Sequence, residues 1–411
     1  MNLLVLPSQY PFPGYPFRGA FNERSVAALR NICKSVEILS PRPFVPPLFG
    51  LFSEKWKAYS TAIGYEQKNG ISINRPIYPQ IPKIGWAFCT DWAAYICCRR
   101  LTKNIHRKKQ FDLILSFDVS GTGMMAWRVG RYLGIPSAGW VTGLSPSHSS
   151  FKKGIARALG QFDMVFYQSQ ECFNEGASLL GLSPSRLNND RHIVLARGIP
   201  PTPLLPRAEL RKQIRKQWGI TDEQILVLNI GRVVRDKGVY ELLDAIAHAS
   251  ARDPRVRCVL LGAMPDFDET ATVEKIINNS ETLKHIVKVI PACSPEKVWE
   301  FLCAADIFAF TSHHDGMPNS LLEAMAMGIP AIAFAIPPVV EIEAEHGGIL
   351  LIPPFNATLF SEAVLRLAGA PQERTSIGEI GKTEVMNRFM MDKNMGEAHK
   401  HLTRLVGVSG A

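Results

Sequence analysis

His314-Asp315-Gly316-Met317-Pro318-Asn319-Ser320-Leu321-Leu322-Glu323-Ala324-Met325-Ala326 carries more information about fold and chemistry than any other segment of this chain. Two carboxylates, Asp315 and Glu323, stand eight positions apart across a loop-to-helix junction, with Gly316 and Pro318 between them. Pro suits the first position of a helix, where its missing N–H loses nothing and its φ is already helical. The sequence therefore predicts a helix opening at Pro318, with Asn319 and Ser320 in the first turn. The amides of that turn lack intrahelical partners and carry a partial positive charge, which favours an anion such as a diphosphate. An acid in the loop and another inside the helix suit hydroxyl groups on either side of that anion. The pattern points to a sugar nucleotide.

Outward from this stretch, short apolar runs alternate with helical patterns along all 411 residues. Strands are expected at 3–6, 36–39, 71–75, 113–116, 137–141, 164–169 and 192–197. In the second half they are expected at 225–231, 256–262, 286–291, 307–312, 331–335 and 348–352. Most are continuous apolar runs, the mark of strands covered on both faces. Helices between them imply β-α units, parallel sheets and right-handed crossovers. Pro200, Pro201, Pro203 and Pro206 read as a stiff linker. This gives an α/β protein with domains at 1–200 and 201–390, and a terminal helix over 391–411 crossing back to the first. Ligands of open α/β sheets bind beyond the carboxyl ends of the strands, so two facing sheets would hold theirs in the cleft between them.

Composition narrows the class. Hydrophobic residues make up 46% and charged residues 20%, which are globular values that exclude a disordered chain. No apolar run is long enough to span a bilayer, and the start of the chain reads as a buried strand, not as a secretion signal. The eight cysteines show no metal or disulfide spacing and are expected to be reduced thiols of a cytoplasmic protein. The net charge of +9 is unevenly placed. Residues 1–200 carry 24 Lys+Arg against 11 Asp+Glu, while residues 201–411 carry 22 against 26. A basic half suggests an anionic partner.

A second motif precedes the acid pair. In Gly231-Arg232-Val233-Val234-Arg235-Asp236-Lys237-Gly238, two cations flank a short loop after a strand. Transfer from a nucleoside diphosphate sugar builds negative charge on the departing diphosphate. Fixed cations aimed there stabilise the transition state more than the ground state. Arg clamps phosphate bidentately and Lys supplies a point charge. Glycoside hydrolysis also uses two carboxylates but needs no such clamp.

Together these motifs resemble those of the retaining family 4 glycosyltransferases (glycosyl transferases group 1), including bacterial surface-polysaccharide enzymes. The supporting matches are Ala305-Asp306-Ile307-Phe308, Gly328-Ile329-Pro330-Ala331, Pro338-Val339-Val340-Glu341, Gly348 to Pro354, and Ser8 to Phe21 at the N-terminus. The resemblance implies the GT-B fold, two facing Rossmann-like domains around an interdomain cleft, with acceptor bound by the first and donor by the second. It implies that Arg232 and Lys237 bind the donor diphosphate, Asp315 the donated sugar and Glu323 the ribose. Gly231, Gly316, Met317, Pro318, Asn319 and Ser320 would complete the donor site, and Gly19 would line the cleft. Asp315, Arg232 and Lys237 are then the catalytic candidates, with a nucleotide-sugar donor, a glycan or lipid-linked acceptor, no cofactor and no metal.

Two positions depart from the pattern. The family's first acid is usually Glu, and Asp315 is shorter. Gly143 stands about where many members carry a His, leaving His148 as a substitute on the acceptor side; of His313 and His314, at most one is expected to line the site. A non-catalytic subunit that binds sugar nucleotide, a sugar-nucleotide epimerase and a phosphorylase on the same fold remain open. Residues 85–96 hold several aromatic side chains and lead into Arg99, Arg100, Lys103, Arg107, Lys108 and Lys109. Such a helix can rest on an anionic membrane from the inner face. Nucleic acid is not expected, because the basic residues are spread out and no recognition module accompanies them.

Overall fold

The computed structural model describes residues 1–16, 19–46, 54–79, 90–144, 152–187, 190–264, 268–344 and 346–409. The chain divides into two compact units, residues 1–197 with 391–411, and residues 198–390.

In the first unit the strands are β1 (Asn2–Pro7), β2 (Ser35–Leu39), β3 (Arg42–Pro43), β4 (Tyr65–Lys68), β5 (Ile71–Asn74), β6 (Ile77–Tyr78), β7 (Leu113–Phe117), β8 (Ser137–Val141), β9 (Met164–Tyr167) and β10 (His192–Val194). Its helices are α1 (Ala20–Ile32), α2 (Glu54–Ser60), α3 (Thr90–Lys109), α4 (Ala126–Leu133), α5 (Lys152–Gln161) and α6 (Gln170–Leu179). The main sheet runs β10-β9-β8-β7-β1-β2-β5-β4. Every neighbouring pair is parallel except β4–β5, an antiparallel hairpin closed by Asn69-Gly70. β1, β7, β8 and β9 are buried almost throughout, as continuous apolar strands between helices should be.

The second unit has helices α7 (Arg207–Trp218), α8 (Val239–Arg252), α9 (Thr270–Asn279), α10 (Leu283–Ile286), α11 (Pro295–Leu302), α12 (Asn319–Ala326), α13 (Pro337–Glu343), α14 (Ala357–Gly369) and α15 (Pro371–Arg388). Its strands β11 (Ile225–Ile230), β12 (Val256–Ala263), β13 (Val287–Pro291), β14 (Ile307–Phe310), β15 (Ala331–Phe334) and β16 (Ile349–Ile352) form one parallel sheet. The order β13-β12-β11-β14-β15-β16 reverses direction between β11 and β14. That reversal opens a crevice beyond the strand ends, where ligands of this architecture sit. At the opposite end Asp306 ties the unit together. It accepts from the Leu226 amide at 2.7 Å and pairs with Arg211 at 2.6 Å and Arg215 at 2.9 Å. Arg211 and Arg215 of α7 are thus spent on internal ion pairs.

The last helix, α16 (Met391–Ser409), belongs to the first unit. Its Met391, Met395, Ala398 and Leu402 join Val26 and Leu29 of α1 in one core. Asn394 also donates to the Ala196 carbonyl at 2.9 Å. Residues 201–206 form neither helix nor strand. The seven described cysteines are free. Among the described residues no helix is long and apolar enough to cross a membrane.

Candidate functional site

The crevice of the second unit brings together the two motifs that the sequence separates by almost eighty residues. After β11 the chain makes a short turn over Arg235–Lys237 and enters α8 through Gly238. Gly238 has φ +67, and a Cβ there would stand 1.8 Å from the Thr311 carbonyl oxygen. Only glycine lets the turn press so closely against the end of β14. Three contacts then zip the turn to the loop after β14. Thr311 Oγ1 donates to the Lys237 carbonyl at 3.0 Å. The His313 amide donates to the Asp236 carbonyl at 2.9 Å. Ser312 Oγ donates to the His314 carbonyl at 3.0 Å and reaches the Asp236 carbonyl at 3.4 Å.

This stitching sets Lys237 Nζ 2.7 Å from Asp315 Oδ2, with the two side chains 27% and 21% exposed. They pair at the crevice and remain open to solvent. Arg232 is exposed nearby in sequence, and its guanidinium has no partner among the described residues. Gly231 follows β11, its amide donating to the Leu261 carbonyl at 2.9 Å.

The helix after Asp315 corrects one expectation. Pro318 is not the first helical residue. Its ψ is +86°, outside the helical range, and it caps α12, which begins at Asn319. The Pro318 carbonyl accepts the first helical bond, from Leu322 at 3.1 Å. The first turn holds no acid, and its capping residue Pro318 makes no side-chain hydrogen bond to it, an arrangement that suits an anion at the turn's amides. Gly316, Met317 and Pro318 are buried beneath that turn, while Asn319 and Ser320 are half-buried. Glu323 lies one turn further in and is only 6% exposed.

Sequence reasoning passed over two acids that brace these loops, Asp268 and Glu269. Asp268 accepts from the Met264 amide at 2.8 Å and the Val233 amide at 3.3 Å. Glu269 accepts from the Arg235 amide at 3.1 Å and from the Tyr240 hydroxyl at 2.5 Å. His313 packs on Phe355, ring centres 4.3 Å apart, with its Nε2 3.2 Å from Glu241. The acidic run Asp266-Phe267-Asp268-Glu269 after an apolar strand is the signal that points to such a brace.

In the first unit, the candidates divide. Gly19 caps α1 at φ +76, and a Cβ there would lie 2.5 Å from the Gln9 carbonyl oxygen. Asn22 Nδ2 donates to that same oxygen at 2.8 Å, and Arg197 Nη1 donates to Asn22 Oδ1 at 2.6 Å. Arg197 Nε also donates to Gln168 at 3.2 Å, and its guanidinium faces the rings of Phe21 and Phe117. Burial pushes Arg197 down to about 9, with Asp118 pulling the other way. Gly143 is half-buried just past β8. His148 lies outside the described residues. Among the described residues no group of three or more His, Cys, Asp or Glu side chains is placed to hold a metal ion.

Residues 211–384 match the family model of the glycosyl transferases group 1. Over 405 residues the chain is 27% identical to TuaC of Bacillus subtilis (strain 168), which is named for a glycosyltransferase role in teichuronic acid biosynthesis; the match covers 97% of each chain. The fold matches Anabaena HepE, solved in complex with UDP, with TM-score 0.72, 17% identity and coverage of 98% of this chain and 100% of that one. It also matches sucrose-phosphate synthase from Thermosynechococcus elongatus, with TM-score 0.73, 17% identity and the same coverage. The chain has the GT-B fold, two Rossmann-like α/β halves with parallel sheets.

Proposed function

We propose that this chain, whose residues 211–384 carry the glycosyl transferases group 1 domain, transfers a sugar from a nucleoside diphosphate donor to a glycan or lipid-linked acceptor, with retention and without a metal. The observation that carries this reading is the meeting of Lys237 with Asp315, 2.7 Å apart at the crevice where β14 leads into the uncapped α12. The diphosphate lies against the first-turn amides of α12 near Asn319 and Ser320. Lys237 and Arg232 take up the charge that grows on the leaving phosphate, the work a metal ion does in other transferases. Asp315 accepts from hydroxyls of the donated sugar while Lys237 fixes its position. Glu323 accepts from the ribose.

Retention follows if the acceptor hydroxyl attacks from the face the diphosphate leaves. The bond between the sugar's anomeric carbon and the phosphate oxygen breaks as the bond to the acceptor oxygen forms. The acceptor proton passes to the departing phosphate. The first unit, with Gly19 at the start of α1, receives the acceptor. The likeness to TuaC, a protein named for teichuronic acid biosynthesis, supports a polysaccharide as product. A lipid-linked acceptor would set the reaction at the cytoplasmic face of a membrane.

Nucleotide release from UDP-, GDP- and ADP-sugars, with and without lipid extract and chelator, tests the reading. One donor should be consumed, faster with lipid and equally fast with chelator, and NMR of the product should show the donor's anomeric configuration. Nucleotide binding with no donor consumed would contradict it in favour of a non-catalytic subunit. Interconversion of donors without acceptor would point to an epimerase.

A further inference from the structure

We propose that the exposed stripe of α3, together with the end of α4, docks the first unit on an anionic lipid bilayer. Residues at positions 92, 96, 99, 103 and 107 follow one another at three- and four-residue steps and so share one face of a helix. On this helix they are Trp92, Ile96, Arg99, Lys103 and Arg107. The opposite side carries Ala94, Cys98 and Thr102, all buried at 1% exposure or less. The stripe has two ends of different chemistry. Trp92 and Ile96, one turn apart, are 44% and 51% exposed. Arg99, Arg100, Lys103, Arg107 and Lys108 are exposed beyond them, and none pairs with a carboxylate among the described residues. The acid on α3, Asp91, is already taken by Arg128 at 3.2 Å.

The apolar end is built, not accidental. Arg128 lies between the Trp92 and Trp127 rings, 4.2 Å from each centre, and fixes the Trp92 indole. Tyr95 meets Trp92 edge-on at 6.1 Å and Tyr132 of α4 at 6.3 Å. Tyr132 is 38% exposed and carries Lys103 over its face at 5.5 Å. An aromatic row with a basic flank matches the lipid–water boundary, where rings sit at headgroup depth and cations meet phosphates. A soluble polyanion would answer the cations but leave Ile96 unused. A second copy of the chain would set these same cations against each other across a two-fold axis.

The proposal rests on the reading above only for its purpose, access to a lipid-linked acceptor, and the test does not depend on turnover. The full chain is floated with vesicles of phosphatidylcholine alone and of phosphatidylcholine with phosphatidylglycerol, at low and high salt. Binding should require the anionic lipid and weaken with salt. The pair Arg99→Gln and Lys103→Gln should weaken it about ten-fold or more. Ile96→Gln should weaken it several-fold at either salt. Lys212→Gln with Lys216→Gln, on α7 of the other unit, should leave it unchanged, as all variants should leave the melting temperature and nucleotide affinity. No preference for anionic vesicles would overturn the proposal. So would equal loss in the α7 pair, full binding by the α3 pair, or capture by heparin in place of vesicles.

Discussion

The two units share a sheet order around their central reversal, yet the crevices carry opposite chemistry. In the second unit the reversal between β11 and β14 holds Lys237 and Asp315, a partly solvated ion pair, with the uncapped start of α12 after it. In the first unit the corresponding reversal lies between β1 and β7. There Asp118 is satisfied internally, accepting from Ser8 and Ser120 hydroxyls at 2.8 Å each. Its neighbouring cation, Arg197, is buried and spent on Asn22 and Gln168. One architecture thus leaves its ion pair partly open to solvent in one half and buries its cation among internal partners in the other. The difference separates a rim that can bind a charged donor from a rim that holds its own loops in shape.

Substitutions in each unit put this contrast at risk. The largest effect belongs to Lys237→Ala, which removes the cation from the leaving phosphate. It should lower the turnover number about 10²- to 10³-fold in a donor-consumption assay, while melting stays near that of the parent. Next comes Arg197→Met in the first unit. It leaves the Asn22 and Gln168 oxygens unpaired in a buried place, and denaturant unfolding should show a loss of about 3 kcal/mol. Gly238→Ala forces a methyl group onto the Thr311 carbonyl and should cost about 2 kcal/mol, with turnover falling further because the Lys237–Asp315 pair is pushed apart.

A smaller effect concerns pH. Burial, with Glu171 one turn away, raises Glu175 to about 7. A carboxyl whose folded pKa is raised stabilises the fold relative to its ionised form below the unfolded value, and that contribution is lost as pH rises through 7. Denaturant unfolding should therefore show Glu175→Gln more stable than the parent at pH 8, by about 1 kcal/mol or less after solvent screening, and no gain at pH 4. The smallest effect is expected from Asp118→Asn, which tolerates the positive φ at that position and should leave nucleotide affinity unchanged. A large loss there would erase the contrast between the crevices.

Much of the fold was legible because it rests on continuous apolar strands. The runs at 137–141 and 225–231 correspond to β8 and β11 with at most one residue of excess. The run at 192–197 ends early, at Val194, opposite Tyr167 where its partner β9 also ends. The strand missed most plainly is β4, which is polar and lies at the sheet edge. Its signal was the Asn69-Gly70 pair, both at positive φ, which closes a two-residue hairpin. At the site, Asp315 and Lys237 were visible as types but not as partners, since only the β11–β14 adjacency makes them neighbours. Asp306 looked like part of a family pattern and turns out to clamp α7 to the sheet.

The central claim is that the second unit holds the donor's diphosphate. It is tested most directly by titrating a nucleoside diphosphate into the full chain and into the Arg232→Ala, Lys237→Ala double variant. The account predicts at least a 100-fold loss of affinity in the double variant, while binding to the parent weakens as salt is raised. Equal affinity in both proteins would contradict it.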